Sequence, residues 1–335
     1  MTALLRRLRL DPYILAIMAM VAVAAILPAR GVGKDVLDQV VRAAIAILFF
    51  LYGARISPKA IWTGITHWRL QGLVFVTTFA VFPLVGFVVL KLTGGYLDSG
   101  LATGLMFLCL LPSTVQSSIA FTSIARGNVP AALCSASVSN LAGVVITPLL
   151  ATMLLSAHSG GMSLDAVRDI AVQILLPFVV GQFARPLIGN WLSRQKTLTM
   201  LFDRGSILLV VYSAFSAGVV AGIWSKVTPQ SLALVIVLDL VILAIVLVFT
   251  TAVSRLLRFT VEDEIAIVFC GSKKSMASGL PMANIIFSAS TVGLIVLPLM
   301  LFHQMQLMVC AALARRYAQR PEEAVLMTTV PEPAI

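Results

Sequence analysis

The sequence predicts an all-α, polytopic membrane protein: ten transmembrane helices forming two inverted five-helix repeats, with the fourth and ninth helices interrupted. Three observations carry that prediction. Hydrophobic residues make up 59% of the chain and charged residues 11%, with a mean hydropathy of +1.01, far from the balance of a soluble domain. Apolar segments of about one bilayer span follow one another along the 335 residues with short connections, which leaves no room for a large soluble domain. Lysine and arginine also collect on alternate connections, as the positive-inside rule requires of such a count.

The apolar segments are 13–29, 37–54, 70–91, 100–125, 130–155, 168–188, 206–224, 231–252, 264–286 and 291–314. Arg6, Arg7 and Arg9 ahead of the run from Tyr13 to Leu27 give the first segment the charge order of a signal peptide. The run is long and many like it follow, so it reads as a first span rather than a cleaved leader. With the N-terminus inside, Arg6, Arg7, Arg9, Arg55, Lys59, Arg69, Arg126, Arg185, Arg194, Lys196, Arg204, Arg255, Arg258, Arg315, Arg316 and Arg320 share the cytoplasmic side. Only Arg30, Lys34, Lys91, Arg168 and Lys226 fall outside, and an error of one span would scramble that asymmetry. Both termini are therefore expected in the cytoplasm, in the cell membrane, or the cytoplasmic membrane of a bacterium.

The net charge of +10 is spread over short loops, so it reports topology and disfavours nucleic acid as a partner; the partner is the lipid bilayer. Cys109, Cys134, Cys270 and Cys310 lie in apolar segments without metal-type spacing and read as small core residues, with no metal or cofactor implied. No HExxH, Gly-x-Ser-x-Gly or Walker-type motif occurs, so protease, hydrolase and ATP-driven pump lack their chemistry and no enzyme is expected.

The loop 156–165 divides the chain into a first repeat, 1–155, and a second, 166–316, followed by a tail, 317–335, expected to be disordered. Five spans per half invert the second half, and in secondary transporters interrupted helices at matching positions of such halves meet at the substrate site. The fourth span of each half fits this. In the first half, Pro112 is followed by Ser113, Thr114, Gln116, Ser117 and Ser118. In the second, Gly271 and Ser272 precede Lys273, Lys274, Ser275 and Ser278. An ammonium near the bilayer centre costs about 2.5–3.5 kcal/mol on insertion scales, so intramembrane lysines face a partner or a cavity. The plain alternative is that the two lysines snorkel or sit in a loop between two short segments.

Pro112 to Ser118 followed by Ala125-Arg126-Gly127-Asn128, together with Gly271 to Ser275, resembles the fourth-helix and ninth-helix signatures of the bile acid:sodium symporter superfamily. More narrowly, the chain from about Pro12 to Arg316 resembles the SBF-like bacterial branch related to the vertebrate seventh-member carriers. The resemblance implies a panel of helices 1, 2, 6 and 7 and a core of helices 3 to 5 and 8 to 10, in which helices 4 and 9 unwind and cross. It also marks departures. Sodium-coupled members carry a Ser-Asn pair at the first crossing, and a Glu followed by a Gln-Asn pair at the second. Here Ser117-Ser118, Ser272 and Met276-Ala277 take those places. Without the carboxylate, and with two ammonium groups beside it, a sodium site loses its main attraction.

The expected function is thus alternating-access transport of a small or amphipathic organic anion. The candidate contacts are Ser113, Thr114, Gln116, Ser117, Ser118, Ser272, Lys273, Lys274, Ser275 and Ser278. One lysine, Lys273 being nearer the break, is expected to replace the coupling cation, either as a fixed charge or as a proton carrier. Asp239, the one carboxylate well inside a span, is its candidate charge partner. His303, with Gln304 and Gln306 in the tenth span, reads as a hydrogen-bonded packing residue or a proton carrier. Arg42 is close enough to a span end to snorkel. Sodium-coupled symport of an organic anion or bile acid, and a non-transporting regulator or scaffold of the same fold, are the alternatives.

Overall fold

The computed structural model describes residues 12–55, 67–93, 95–155, 171–222, 224 and 227–320. Arg6, Arg7, Arg9, Lys59, Arg168, Lys226, the loop 156–165 and residues 321–335 lie outside the described residues. Every regular element among the described residues is helical. In chain order these are α1 (Pro12–Ile26), α2 (Val32–Arg55), α3 (Trp68–Val76), α4 (Phe82–Leu92), α5 (Ser99–Leu110), α6 (Gln116–Ile124), α7 (Val129–Leu155), α8 (Leu176–Arg194), α9 (Lys196–Val220), α10 (Pro229–Leu256), α11 (Val261–Gly271), α12 (Met276–Ile286) and α13 (Val292–Ala318).

Seven of these helical stretches are long and apolar enough to cross a membrane, and α1 and α5 are shorter apolar helices. The protein is a multi-pass membrane protein. The expected spans shift at their ends: α2 begins at Val32, α9 begins at Lys196, and α13 runs to Ala318, into the segment read as tail. Polar turns can join a helix end outside the bilayer, where hydropathy no longer marks the boundary.

Local chemistry explains where helices start and stop. The Asp98 carboxylate accepts from the Gly100 N–H at the start of α5, and the Thr228 and Thr260 hydroxyls accept from Ser231 and Asp263 at the starts of α10 and α11. α5 ends because Leu111, forced extended by the following Pro112, sits at φ −75°, ψ 154°. α3 and α4, which hydropathy reads as the single span 70–91, are joined by a π-turn over Thr77–Val81. There the Phe82 N–H reaches back to Thr77 O, five residues away. In that register Thr78 O would accept from residue 83, which is a proline and has no N–H. Thr78 O is left for a donor from elsewhere.

The helices pack as two groups. α1, α2, α8 and α9 pack on one another, while α3 to α7 and α10 to α13 gather around the two interruptions. Within the first group α2 and α8 approach backbone to backbone, since a Cβ at Gly53 would collide with Phe178 O and one at Gly181 with Phe50 O. In the second, ion pairs tie helix ends together: Arg255 with Glu264, and Arg320 with Glu262.

Candidate functional site

The two interruptions lie against each other, and each supplies what the other's helix end lacks. The last carbonyls of a helix have no partner within it. At the end of α11, Ser118 Oγ donates to Phe269 O at 2.9 Å and Ser113 Oγ to Cys270 O at 2.6 Å. At the end of α5, Thr147 Oγ1 donates to Leu110 O at 2.8 Å, and the Ser275 N–H donates to Pro112 O at 2.8 Å. The remaining two carbonyls there, Cys109 O and Leu111 O, accept from the Lys274 ammonium at 2.9 and 2.7 Å. Its third bond, 2.9 Å, goes to Thr78 O, the carbonyl that the π-turn and Pro83 leave open. The Phe82 ring, 4.0 Å from Nζ, covers the ammonium.

Gln306 of α13 holds the backbone of that lysine from both sides. Its Oε1 accepts from the Lys274 N–H at 2.9 Å, and its Nε2 donates to Lys274 O at 3.0 Å. Lys273, although adjacent, points elsewhere. Its ammonium is fully buried over the rings of Phe121 (4.0 Å) and Phe269 (5.4 Å), without a hydrogen-bond partner. The cation that occupies the carbonyl cage is thus Lys274, not the Lys273 that proximity to the break favours. Successive residues of an unwound segment project to different sides, and only the second lysine faces the π-turn and the end of α5.

Asp239 is a second correction. It is fully buried in α10, yet both carboxylate oxygens lack a hydrogen-bond partner and neither lysine forms an ion pair with it. The cage of carbonyls satisfies Lys274 without it.

A cavity of about 530 Å³ lies between the two helix groups. Of the expected contacts, Thr114, Gln116, Ser117 and Ser275 line it. Ser113, Ser118, Ser272, Lys273, Lys274 and Ser278 do not; they are buried in the crossing behind it. Ser272 donates back to Val268 O at 2.6 Å, and Ser278 donates to Asn140 Oδ1 at 2.8 Å. The first turns of α6 and α12 border the cavity through Gln116, Ser117, Met276 and Ala277, and α6 carries no side-chain cap. The N-terminal end of α6 thus borders the cavity, and a helix N-terminus favours negative charge beside it.

The opposite wall contains residues that hydropathy did not single out. Arg55 of α2 donates to both carboxylate oxygens of Asp203 of α9, at 2.8 and 3.2 Å, and Arg204 lies over the Tyr13 ring. Two guanidinium groups face one carboxylate here. Arg55 is the last residue of α2 and Arg204 lies in the third turn of α9, and the positive-inside count places both on the cytoplasmic side, so only their convergence on a cavity distinguishes them. Asn140, Ser137 and His303 also line it, with Phe178, Ile207 and Leu307 as apolar surface.

A bundle of membrane-spanning helices with two mutually capped helix breaks beside a cavity is the architecture of a secondary transporter. The chain belongs to the SBF-like CPA transporter family, whose model matches residues 11–319, and this is a family of transporters rather than enzymes. It is 53% identical to an uncharacterised protein of Pseudomonas aeruginosa, over 94% of this chain and 95% of that one. It is 50% identical to YfeH of Escherichia coli, over 94% and 95%. The rat sodium/bile acid cotransporter 7 is 26% identical over 92% of this chain and 93% of its own. The protein is accordingly a multi-pass membrane transporter with a small-molecule substrate.

Proposed function

We propose that this protein moves a small or amphipathic organic anion by alternating access, without sodium, with Lys274 in the electrostatic place of a coupling cation. The carrying observation is the Lys274 ammonium on Thr78 O, Cys109 O and Leu111 O, a coordination that a bound alkali cation would otherwise supply. A tethered ammonium satisfies those carbonyls in every step of a cycle, so no ion has to be taken up with the substrate. The anion preference rests on the cavity wall: the uncapped first turn of α6, the first turn of α12, and Arg55 and Arg204 against Asp203 alone.

In this reading α1, α2, α8 and α9 are the panel against which the remaining helices rock. The two halves, 1–155 and 166–316, form ten spans of inverted orientation, with both termini in the cytoplasm. The apolar cavity surface suits the body of an amphipathic ligand, and Thr114, Gln116, Ser117 and Ser275 supply hydroxyl and amide contacts to its polar end.

The test is counterflow in proteoliposomes with an organic anion selected by thermal shift from carboxylates, sulfonates and sulfate esters. Exchange should be unchanged when Na⁺ is replaced by K⁺ or choline at constant ionic strength. A saturable requirement for Na⁺ would overturn the reading and restore sodium coupling, and absence of any exchange would favour a scaffold.

A further inference from the structure

His303 lines the cavity, and Gln306, one turn along α13, grips the backbone of Lys274. Gln306 Nε2 also lies 2.9 Å from His303 Nδ1. The roles in this chain are determined by the backbone. The Lys274 N–H is a donor, so the atom facing it must be the amide oxygen, and Nε2 must face Lys274 O. An amide nitrogen only donates. His303 Nδ1 is therefore the acceptor, and a neutral ring carries its proton on Nε2.

We propose that His303 is a proton-binding site on the cavity wall, linked through Gln306 to the crossing that holds Lys274. A proton arriving at Nδ1 takes up the lone pair that accepts from Gln306. The amide then meets an N–H where it needs an acceptor. If it turns over to present Oε1, Nε2 faces the Lys274 N–H and Oε1 faces Lys274 O, so both backbone bonds are lost. Either way the clamp on Lys274 weakens when His303 is charged and holds when it is neutral.

The surroundings give the switch a direction. α13 packs against α5, α6, α9, α10 and α12. The titratable groups on these elements are Cys109 of α5, Lys196, Asp203, Arg204 and Tyr212 of α9, and Asp239 and Arg255 of α10; α6 and α12 carry none. Lys273 and Lys274 lie at the break, with Cys310, Arg315, Arg316 and Tyr317 on α13 itself, and Arg55, Tyr52 and Tyr13 line the cavity. An organic anion placed in the cavity would add negative charge beside His303 and favour its protonated form. By linkage, proton and anion would then bind together. This consequence rests on the transport reading above; the hydrogen-bond switch does not.

Hydrogen exchange at the amides of residues 272–278 reads the switch directly, in the purified full chain and without any transport. In the wild type, protection corrected for intrinsic chemistry should fall about tenfold between about pH 7.5 and about pH 5.5, the range in which histidine titrates, as loss of one or two hydrogen bonds implies. His303→Asn keeps an acceptor near the position of Nδ1 and cannot take the proton, so its protection should stay high at both values. Wild-type protection that does not change, or a His303→Asn variant that loses protection as the wild type does, would overturn the proposal. Should that variant not fold, Gln306→Met should exchange fast at both values, and a remaining pH dependence at these amides would equally overturn it. Sodium-dependent counterflow would defeat the proposed transport mode while leaving this result standing.

Discussion

The two helix breaks solve one problem with different chemistry. At the end of α11 the loose carbonyls Phe269 O and Cys270 O are met by neutral hydroxyls, Ser118 and Ser113. At the end of α5 the loose carbonyls Cys109 O and Leu111 O are met by a single ammonium, which also reaches Thr78 O. A hydroxyl offers one donor and serves one carbonyl, whereas an ammonium offers three and joins three strands of backbone at a point. The end of α11 is therefore capped in separate pieces, and the end of α5 is gathered with the π-turn and the α11–α12 segment onto one charge. The consequence is an unequal distribution of risk: much of the crossing depends on Lys274.

Three substitutions sharpen the comparison, in order of expected effect. Lys274→Met leaves three buried carbonyls without a donor and should destabilise the protein by about 3–5 kcal/mol, since each unsatisfied buried acceptor costs about 1–3 kcal/mol and removing the buried charge offsets part of the sum. Thermal unfolding in detergent checks this, and an effect no larger than that of a serine substitution would show that water or another group replaces the ammonium. Ser118→Ala removes one hydroxyl from one carbonyl and should cost about 1–2 kcal/mol by the same measurement. A loss matching that of Lys274→Met would erase the distinction between the two breaks. Lys273→Met should be smallest, within about 1 kcal/mol of wild type or slightly stabilising, since it trades a cation–π contact for relief from burying an unbonded ammonium. A large loss would mean that Lys273 has a role beyond its contacts with Phe121 and Phe269.

The same contrast shows why parts of the site were legible beforehand. Pro112 announced the first break, because a proline acts on its own neighbour: Leu111 is extended as the residue before a proline should be. Gly271, Ser272 and two lysines in an apolar run announced the second. The π-turn at Thr77–Val81 was not announced. Pro83 alone fits an ordinary first turn of α4, and only the Phe82 N–H reaching Thr77 O exposes the vacancy at Thr78 O. Expectation also placed all ten polar residues of the breaks against the substrate, yet four line the cavity and six lie behind it. Composition cannot separate a hydroxyl that faces a cavity from one that caps the end of another helix.

What the sequence determined by itself follows from local or summed properties. Apolar content and span length made the chain a multi-pass membrane protein, and prolines, glycines and clustered hydroxyls marked where helices are interrupted. The tertiary structure decided the assignments that depend on direction. Lys273 and Lys274 are equal in charge and neighbours in sequence, but one projects onto two phenylalanine rings and the other into a cage built from α5 and the π-turn. Asp239 has the right charge and depth to pair with either, but lies on a helix that presents it to neither lysine. The Arg55–Asp203 pair joins residues 148 positions apart. The physical reason is common to all three: an electrostatic partner is chosen over a few ångströms of space, and sequence order specifies which charges exist without specifying which of them meet.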